Sequence, residues 1–394
     1  MHTGNSYHFL FFGLSSFRSL PHREQGIAIE CARLGHRVDF IEIAPSVAGK
    51  SLAMFHRFRM PLSRDSGFHF DPAIPNLRIH TPPMLPTGLR NSLTPALDRM
   101  LFQRWFRATF RAEDISRAIA MFMMPLWWGH FIDEDLLRPR LLVYDICDAL
   151  EVPAHSNGSL RRLEASERAL VAHADLITYS AAEMAADIAR RYSRRDALFL
   201  PNAVSREFID AVDREPTSRR SDRPRTIGYV GSTSAKWFDA QLVLEIAHAC
   251  PDCNLSVIGP VDRRFADACA HIRNITLHGY IPHERLAGHL RGFDVAIIPF
   301  LDNEITRVVN PLKMYEYSAA GLPVIARRTH ELTHYAQQLY LADDAREFVA
   351  AINRAFAEDT LERRQARRRF AEQNTWEARV RDLIAHVHTQ VLAA

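Results

Sequence analysis

The chain has 394 residues, 47% of them hydrophobic and 24% charged, which excludes a disordered or fibrous chain and leaves room for two domains or three small ones. Forty-nine basic residues stand against 46 acidic ones, a net charge of +3, so a nucleic-acid binder dominated by basic residues is excluded. The five cysteines are odd in number and sparse, and Cys250 and Cys253 have no second pair at zinc spacing, so neither a disulfide framework nor a metal site is expected.

In chain order, 7–12 reads as a buried strand, 13–23 as a Ser, Pro and Arg loop, and 24–34 as a helix stopped by Gly35. With the strand at 37–42 this is a βαβ unit of a parallel sheet. The apolar run 8–17 lacks a basic flank and a cleavage site and is not read as a secretory signal. Strands are predicted at 118–124, 141–144, 176–179 and 197–200, with helices at 160–174 and 181–192. The stretch 119–132 is too short to span a bilayer, which needs about 20 apolar residues. Residues 210–225 are charged, poor in large apolar groups and hold two prolines, so they read as a linker. The alternation then restarts, with strands at 226–230, 255–258, 275–277, 295–298 and 323–325. Helices at 240–249, 263–271, 283–290 and 311–320 separate them, and the charged tail from 361 ends in a helix over 376–391. Two successive α/β halves imply two doubly wound domains facing a cleft.

Neither half contains GxGxxG or GxxxxGK[ST], which disfavours a dinucleotide-dependent dehydrogenase and a P-loop. The strand at 226–230 is followed by Gly231, Ser232 and Thr233. A glycine there lets backbone N–H groups approach a phosphate, with the hydroxyls as further donors; a plain tight turn reads the same. In Asn310-Pro-Leu-Lys313-Met-Tyr-Glu316, Asn310 suits an N-cap and Pro311 a first turn. Lys313 is electrostatically misplaced at a helix N-terminus unless an anionic ligand sits there. Lys313 and Glu316 share a face, and an ordinary surface ion pair is the alternative. The chain has only three lysines, Lys50, Lys236 and Lys313, among 46 arginines.

Asp145 and Asp148 follow a buried strand. They suit either capping of nearby N–H groups or a pair of carboxylates that raise one another's pKa toward working range. The acidic trio Asp133, Glu134 and Asp135 contains a DxD but sits near a helix start, where acids complement the dipole, and is read as structural. Two stretches mix arginine with aromatics: 55–60, and 101–111 with Arg104, Arg107 and Arg111 on one expected helical face. Such a helix suits an anionic bilayer or is simply amphipathic.

The second half resembles the GT-B glycosyltransferases. The matching pieces are Gly228-Tyr-Val-Gly-Ser-Thr, Val257-Ile-Gly259-Pro, Leu277-His-Gly-Tyr280-Ile281-Pro, Asp294-Val-Ala-Ile-Ile-Pro-Phe300 and 311–325. In the first half, Tyr-Asp145-Ile-Cys-Asp148, Asp175-Leu-Ile-Thr-Tyr-Ser and Pro201-Asn202-Ala-Val also match, and Trp376-Glu resembles the start of the family's last helix. The resemblance is to bacterial polysaccharide and teichuronic-acid transferases of the xanthan glucuronosyltransferase type. It implies an α/β, GT-B fold with an acceptor-side domain at 1–205, a linker at 206–225 and a nucleotide-sugar domain at 226–372. A C-terminal helix at 373–394 would return to the first domain.

By the same resemblance, Lys313 neutralises the donor pyrophosphate, met by Gly231, Ser232 and Thr233. Tyr280 and Ile281 frame the base and Glu316 lies on the ribose side, with Gly259, Phe300, Asn310, Pro311 and Leu312 completing the donor site. Asp148 is the catalytic base and Asp145 its orienter. Retaining members often carry two glutamates separated by seven residues, the second at the position of Glu316. Here Val308 stands at the first position, with Glu304 the nearest acid, which favours inversion. The expected reaction moves a sugar from a nucleotide-diphosphate sugar to a saccharide or lipid-linked acceptor, with no cofactor, no metal and no nucleic-acid partner. A cytoplasmic location is expected, with peripheral contact at the inner membrane face. A nucleotide-sugar 2-epimerase and a non-catalytic binding protein share the architecture.

Overall fold

The computed structural model describes residues 6–17, 23–43, 68–70, 74–83, 95–153, 156–214, 223–234 and 236–393. Lys50 and the arginine–aromatic stretch 55–60 lie outside them. The chain forms two compact units, one of 1–180, 185–200 and 380–394, the other of 181–184 and 201–379.

Among the described residues the first unit is built on eight strands: β1 (His8–Phe12), β2 (Arg37–Ile41), β3 (Phe68–Phe70), β4 (Leu77–His80), β5 (Ile119–Phe122), β6 (Leu141–Ile146), β7 (Leu176–Tyr179) and β8 (Leu198–Phe199). Their order is β3-β4-β2-β1-β5-β6-β7-β8. All neighbours run parallel except β3, which is antiparallel to β4. Strands covered on both faces read as unbroken apolar runs. Phe9, Leu10, Phe11 and Phe12 of β1 are accordingly all fully buried between β2 and β5.

The second unit holds β9 (Arg225–Val230), β10 (Cys253–Ile258), β11 (Ile275–Gly279), β12 (Val295–Ile298), β13 (Val324–Arg327) and β14 (Tyr340–Ala342). They form one parallel sheet in the order β11-β10-β9-β12-β13-β14. This is the doubly wound arrangement expected. Helix starts follow the local chemistry: the side chains of Asp239, Asp344 and Thr360 each accept a backbone N–H of the helix that follows.

Three expectations need adjustment. The stretch read as a linker begins as the helix Arg206–Arg214, whose Phe208, Ile209 and Val212 are buried in the second unit's core. Those three share one face, so an amphipathic helix lies under charges that suggest a spacer. The helix Pro95–Thr109 ends before Arg111, which precedes the next helix, so the three arginines do not share one helix. Trp105 and Phe106, the aromatics of the stretch read as suiting a bilayer, are buried against Phe110 and Phe102.

The last helix, Trp376–Ala393, belongs to the second unit up to Arg379 and to the first from Val380. In the first unit its His388 Nδ1 lies 2.6 Å from the Tyr7 hydroxyl, and Arg140 donates to the Val391 carbonyl at 3.0 Å. Among the described residues no helix is long and apolar enough to cross a membrane.

Candidate active site

In a doubly wound sheet the loops diverge where the strand order reverses, leaving a crevice at the strands' carboxyl ends. In the second unit that point lies between β9 and β12. The loop after β9 carries Gly231, Ser232 and Thr233, and Phe300 follows β12. The Gly231 N–H donates to the Ile258 carbonyl at 2.8 Å, drawing the loops after β9 and β10 together. Gly231 has φ +154° and Gly259 φ +136°; a Cβ on Gly259 would lie 2.2 Å from the Gly231 carbonyl oxygen, so only glycine fits there. Thr233 is buried, and its hydroxyl oxygen accepts the Asp262 N–H at 2.7 Å. Thr233 therefore braces the neighbouring loop, while the half-buried Ser232 shares a 2.9 Å hydrogen bond with Ser234.

Lys313 lies in the first turn of the helix Leu312–Ala319. Its ammonium is 5.2 Å from the ring centre of Tyr229 and 5.6 Å from that of Phe300. A Cβ on Gly231 would come within 3.1 Å of the same nitrogen. Among the described residues the ammonium makes no hydrogen bond or ion pair. Burial pulls its pKa down to about 8, and the Glu316 carboxylate pushes the other way. A cation beside a glycine turn and a helix N-terminus, with two aromatic faces beneath it, is equipped to receive an anion.

Glu316, one turn on, is buried and bonds His283 Nε2 at 2.7 Å. Tyr280 is 58% exposed past the end of β11, and Ile281 packs on the core beside it. The N-cap position is held by Pro311 and not by Asn310. Asn310 is buried: its side-chain oxygen accepts the Asn202 N–H and the Tyr315 hydroxyl, both at 3.1 Å. Its amide donates to Glu331 at 3.1 Å and to the Tyr335 hydroxyl at 2.8 Å. Tertiary partners thus claim the side chain that local sequence reads as a cap. Pro311 is buried and Leu312 half-buried.

In the first unit Asp145 lies within β6, and Asp148 stands two residues past that strand's end. Arg23, the first residue of the helix Arg23–Arg33, grips Asp145 through Nε and Nη2, both at 2.7 Å. Thr178, opposite Asp145 on β7, donates to it as well. Asp148 is half-buried and makes no hydrogen bond or ion pair among the described residues. Burial pushes its carboxyl up to about 7, with Arg23 pulling down and Asp145 pushing up. The mutual effect of two carboxylates, expected to raise the pKa, is therefore secondary to burial, because Arg23 absorbs the charge of Asp145. Asp133 pairs with Arg99 and accepts the Leu136 N–H, a structural use of the acidic trio.

Arg23, Thr178, Tyr229 and His283 escape sequence reasoning. Arg23 is 122 residues from Asp145, and His283 is 33 from Glu316. Only the hydroxyl-bearing Thr178 and the aromatic Tyr229, inside motif pieces already noted, leave a trace.

The family described as "Glycosyl transferases group 1" matches residues 224–358. Over 320 residues the chain is 22% identical to the Bacillus subtilis (strain 168) protein described as a teichuronic acid biosynthesis glycosyltransferase, TuaH. That alignment covers 76% of this chain and 77% of the relative. Sucrose-phosphate synthase from Thermosynechococcus elongatus superposes with a TM-score of 0.71 at 16% identity, covering 99% of this chain and 100% of its own. Anabaena HepE, in complex with UDP and glucose, superposes with a TM-score of 0.66 at 11% identity, covering 98% of this chain and 100% of its own. The chain therefore has the fold of the GT-B glycosyltransferases, and its residues 224–358 are similar to the family of group 1 glycosyl transferases.

Proposed function

We propose that this chain is a glycosyltransferase that moves a sugar from a nucleotide-diphosphate sugar to an acceptor hydroxyl in the synthesis of a cell-envelope or exopolysaccharide. The observation that carries the reading is Lys313: an ammonium without an ion-pair partner among the described residues, set over Tyr229 and Phe300 beside Gly231. The second unit would hold the donor, Lys313 and the helix N-terminus neutralising the diphosphate and Tyr280 offering an exposed ring to the base. The similarity to a teichuronic acid biosynthesis glycosyltransferase supports a polysaccharide setting. HepE, with its UDP and glucose, supports the donor class.

In this reading Asp148 takes the acceptor hydroxyl's proton as its oxygen attacks the anomeric carbon. The bond to the nucleoside diphosphate breaks, the configuration inverts, and Lys313 stabilises the departing charge. A carboxyl near 7 matches that task, being ionised in half the molecules at neutral pH and still basic. Arg23 holds Asp145 and, through it, the end of β6. No divalent cation and no cofactor enters the proposal, since Lys313 and the helix end supply the positive charge. The acceptor is a saccharide or lipid-linked saccharide, met at the inner face of the cytoplasmic membrane by the first unit.

Lys313→Ala tests the site. It should weaken UDP binding about tenfold or more, the loss of one charge-assisted contact, and leave uridine binding unchanged. Isothermal titration of both ligands gives the answer, and equal losses would sink the assignment.

A further inference from the structure

Lys313 and Glu316 stand three residues apart on the helix Leu312–Ala319, the spacing at which lysine and glutamate side chains meet. The ion pair does not form. Glu316 Oε1 is instead bonded to His283 Nε2 at 2.7 Å, and among the described residues the Glu316 carboxylate makes no other hydrogen bond. His283 opens the turn His283–Arg285 directly after Pro282, and its ring lies 4.9 Å from that of Phe208. The imidazole is thus held from its own turn and from the helix Arg206–Arg214, with its nitrogen aimed at the carboxylate.

We propose that His283 is a positioning residue that holds Glu316 off Lys313, so that the ammonium stays open for a diphosphate and the second carboxylate oxygen for a ligand hydroxyl. The inference rests on the reading of this site as a nucleotide-sugar site. Its logic is competitive. A buried carboxylate stripped of its partner takes the nearest cation, because leaving it unpaired is costly. For Glu316 that cation is Lys313, which already feels its charge. A ligand diphosphate would then have to displace an internal carboxylate. The charged groups around His283 agree with this role: burial lowers its pKa, but the bond and charge of Glu316, with the charge of Glu284, raise it overall. The imidazole therefore favours its protonated, donating form beside the carboxylate.

The test uses inorganic pyrophosphate, which carries the diphosphate charge without a ribose, and a second readout on the lysine itself. His283→Phe removes the donor and should weaken pyrophosphate binding about tenfold. His283→Gln can still donate to Glu316 and should bind like wild type. Adding Glu316→Gln to His283→Phe should restore pyrophosphate binding, since a neutral amide no longer holds the ammonium. Recovery by a second substitution is not expected of a residue that only supports the fold. His283→Asn, too short to reach Glu316, repeats the series if the Phe variant does not fold. In parallel, NMR of 13C-lysine-labelled protein follows Lys313 among only three lysines. Its pKa should rise above about 8 in His283→Phe and return in the double variant. Unchanged pyrophosphate binding and an unchanged Lys313 titration in His283→Phe would overturn the proposal, as would a double variant no better than the single one. Failure of the underlying site reading looks different: Lys313→Ala would then leave UDP binding untouched, while the lysine titration would still report whether His283 governs the pair.

Discussion

Asp148 sits at a cost to the fold. Its carboxyl titrates near 7 chiefly because it is buried, so between the ordinary aspartate range and pH 7 the folded chain binds more protons there than the unfolded one. Stability is therefore lost as pH rises through that window and stays lost above it. Asp148→Asn removes the titration: at pH 8 the variant should melt at a higher temperature than wild type, and the difference should vanish toward pH 4. The same variant should lack transferase activity. An active variant, or one less stable than wild type at pH 8, would remove Asp148 from the proposed mechanism. In wild type kcat/KM should climb as Asp148 ionises near 7 and fall as Lys313 deprotonates near 8, a narrow bell. At this scale the sequence exposes Asp148 and Lys313 because each sits in a recognisable local string. It hides Arg23 and His283, because what gives them meaning is a partner brought close only by the folded sheet.

Two loops, not two residues, make the glycine turn beside Lys313, and their crossing is tight. Gly259 has a left-handed φ and no room for a Cβ against the Gly231 carbonyl, whereas Gly279, also left-handed at φ +70°, has nothing within 4 Å of an added Cβ. The pair separates strain from crowding. Gly279→Ala should cost about 1 to 2 kcal/mol, the backbone term alone. Gly259→Ala adds a clash with backbone that cannot swing aside, so it should cost clearly more, about 3 kcal/mol or above, and weaken UDP binding. Urea unfolding of the two variants measures the difference, and equal costs would show that the loops can part without penalty. Elements as such were largely legible. Runs such as 295–298 and 141–144 are apolar throughout and belong to central strands, where both faces are covered. Strands toward the rims are harder to read: Leu77–His80, next to the edge, mixes arginine and histidine with two apolar residues, and the edge strand Tyr340–Ala342 is too short to show a period. The helix at 311–320 is plain in the sequence but its cap is not, because Asn310 is recruited by Asn202, Glu331 and Tyr335 from elsewhere in the chain.

Across the whole molecule, the alternation of strands and helices announced two doubly wound sheets, while the charges of 210–225 masked the end of a helix that packs into the second of them. The same confusion of composition with placement bears on the membrane. On Pro95–Thr109 the aromatics Phe102, Trp105 and Phe106 turn inward, which leaves them no part in insertion. What the helix exposes instead is Leu97 at 41% and Met100 at 57%, followed by Arg104 and Arg107. Positions 97, 100, 104 and 107 recur at helical spacing, so they share one face: two apolar side chains, then two guanidinium groups, with exposed Arg111 just beyond the helix end. A shallow apolar contact flanked by cations suits an anionic bilayer, and each arginine near such a surface contributes about 1 kcal/mol. The attraction decays over a Debye length of about 10 Å at 0.1 M salt, so binding should be reversible and salt-sensitive. Co-sedimentation with phosphatidylglycerol liposomes should carry the wild type into the pellet at low salt and release it at 0.5 M. Arg104→Ser with Arg107→Ser and Arg111→Ser should stay in the supernatant, and Leu97→Ser with Met100→Ser should bind more weakly than wild type. Trp105→Phe, buried away from that face, should pellet like wild type. If wild type itself remains in the supernatant at low salt, the exposed face is no membrane contact, and an acceptor delivered from solution replaces one held at the bilayer.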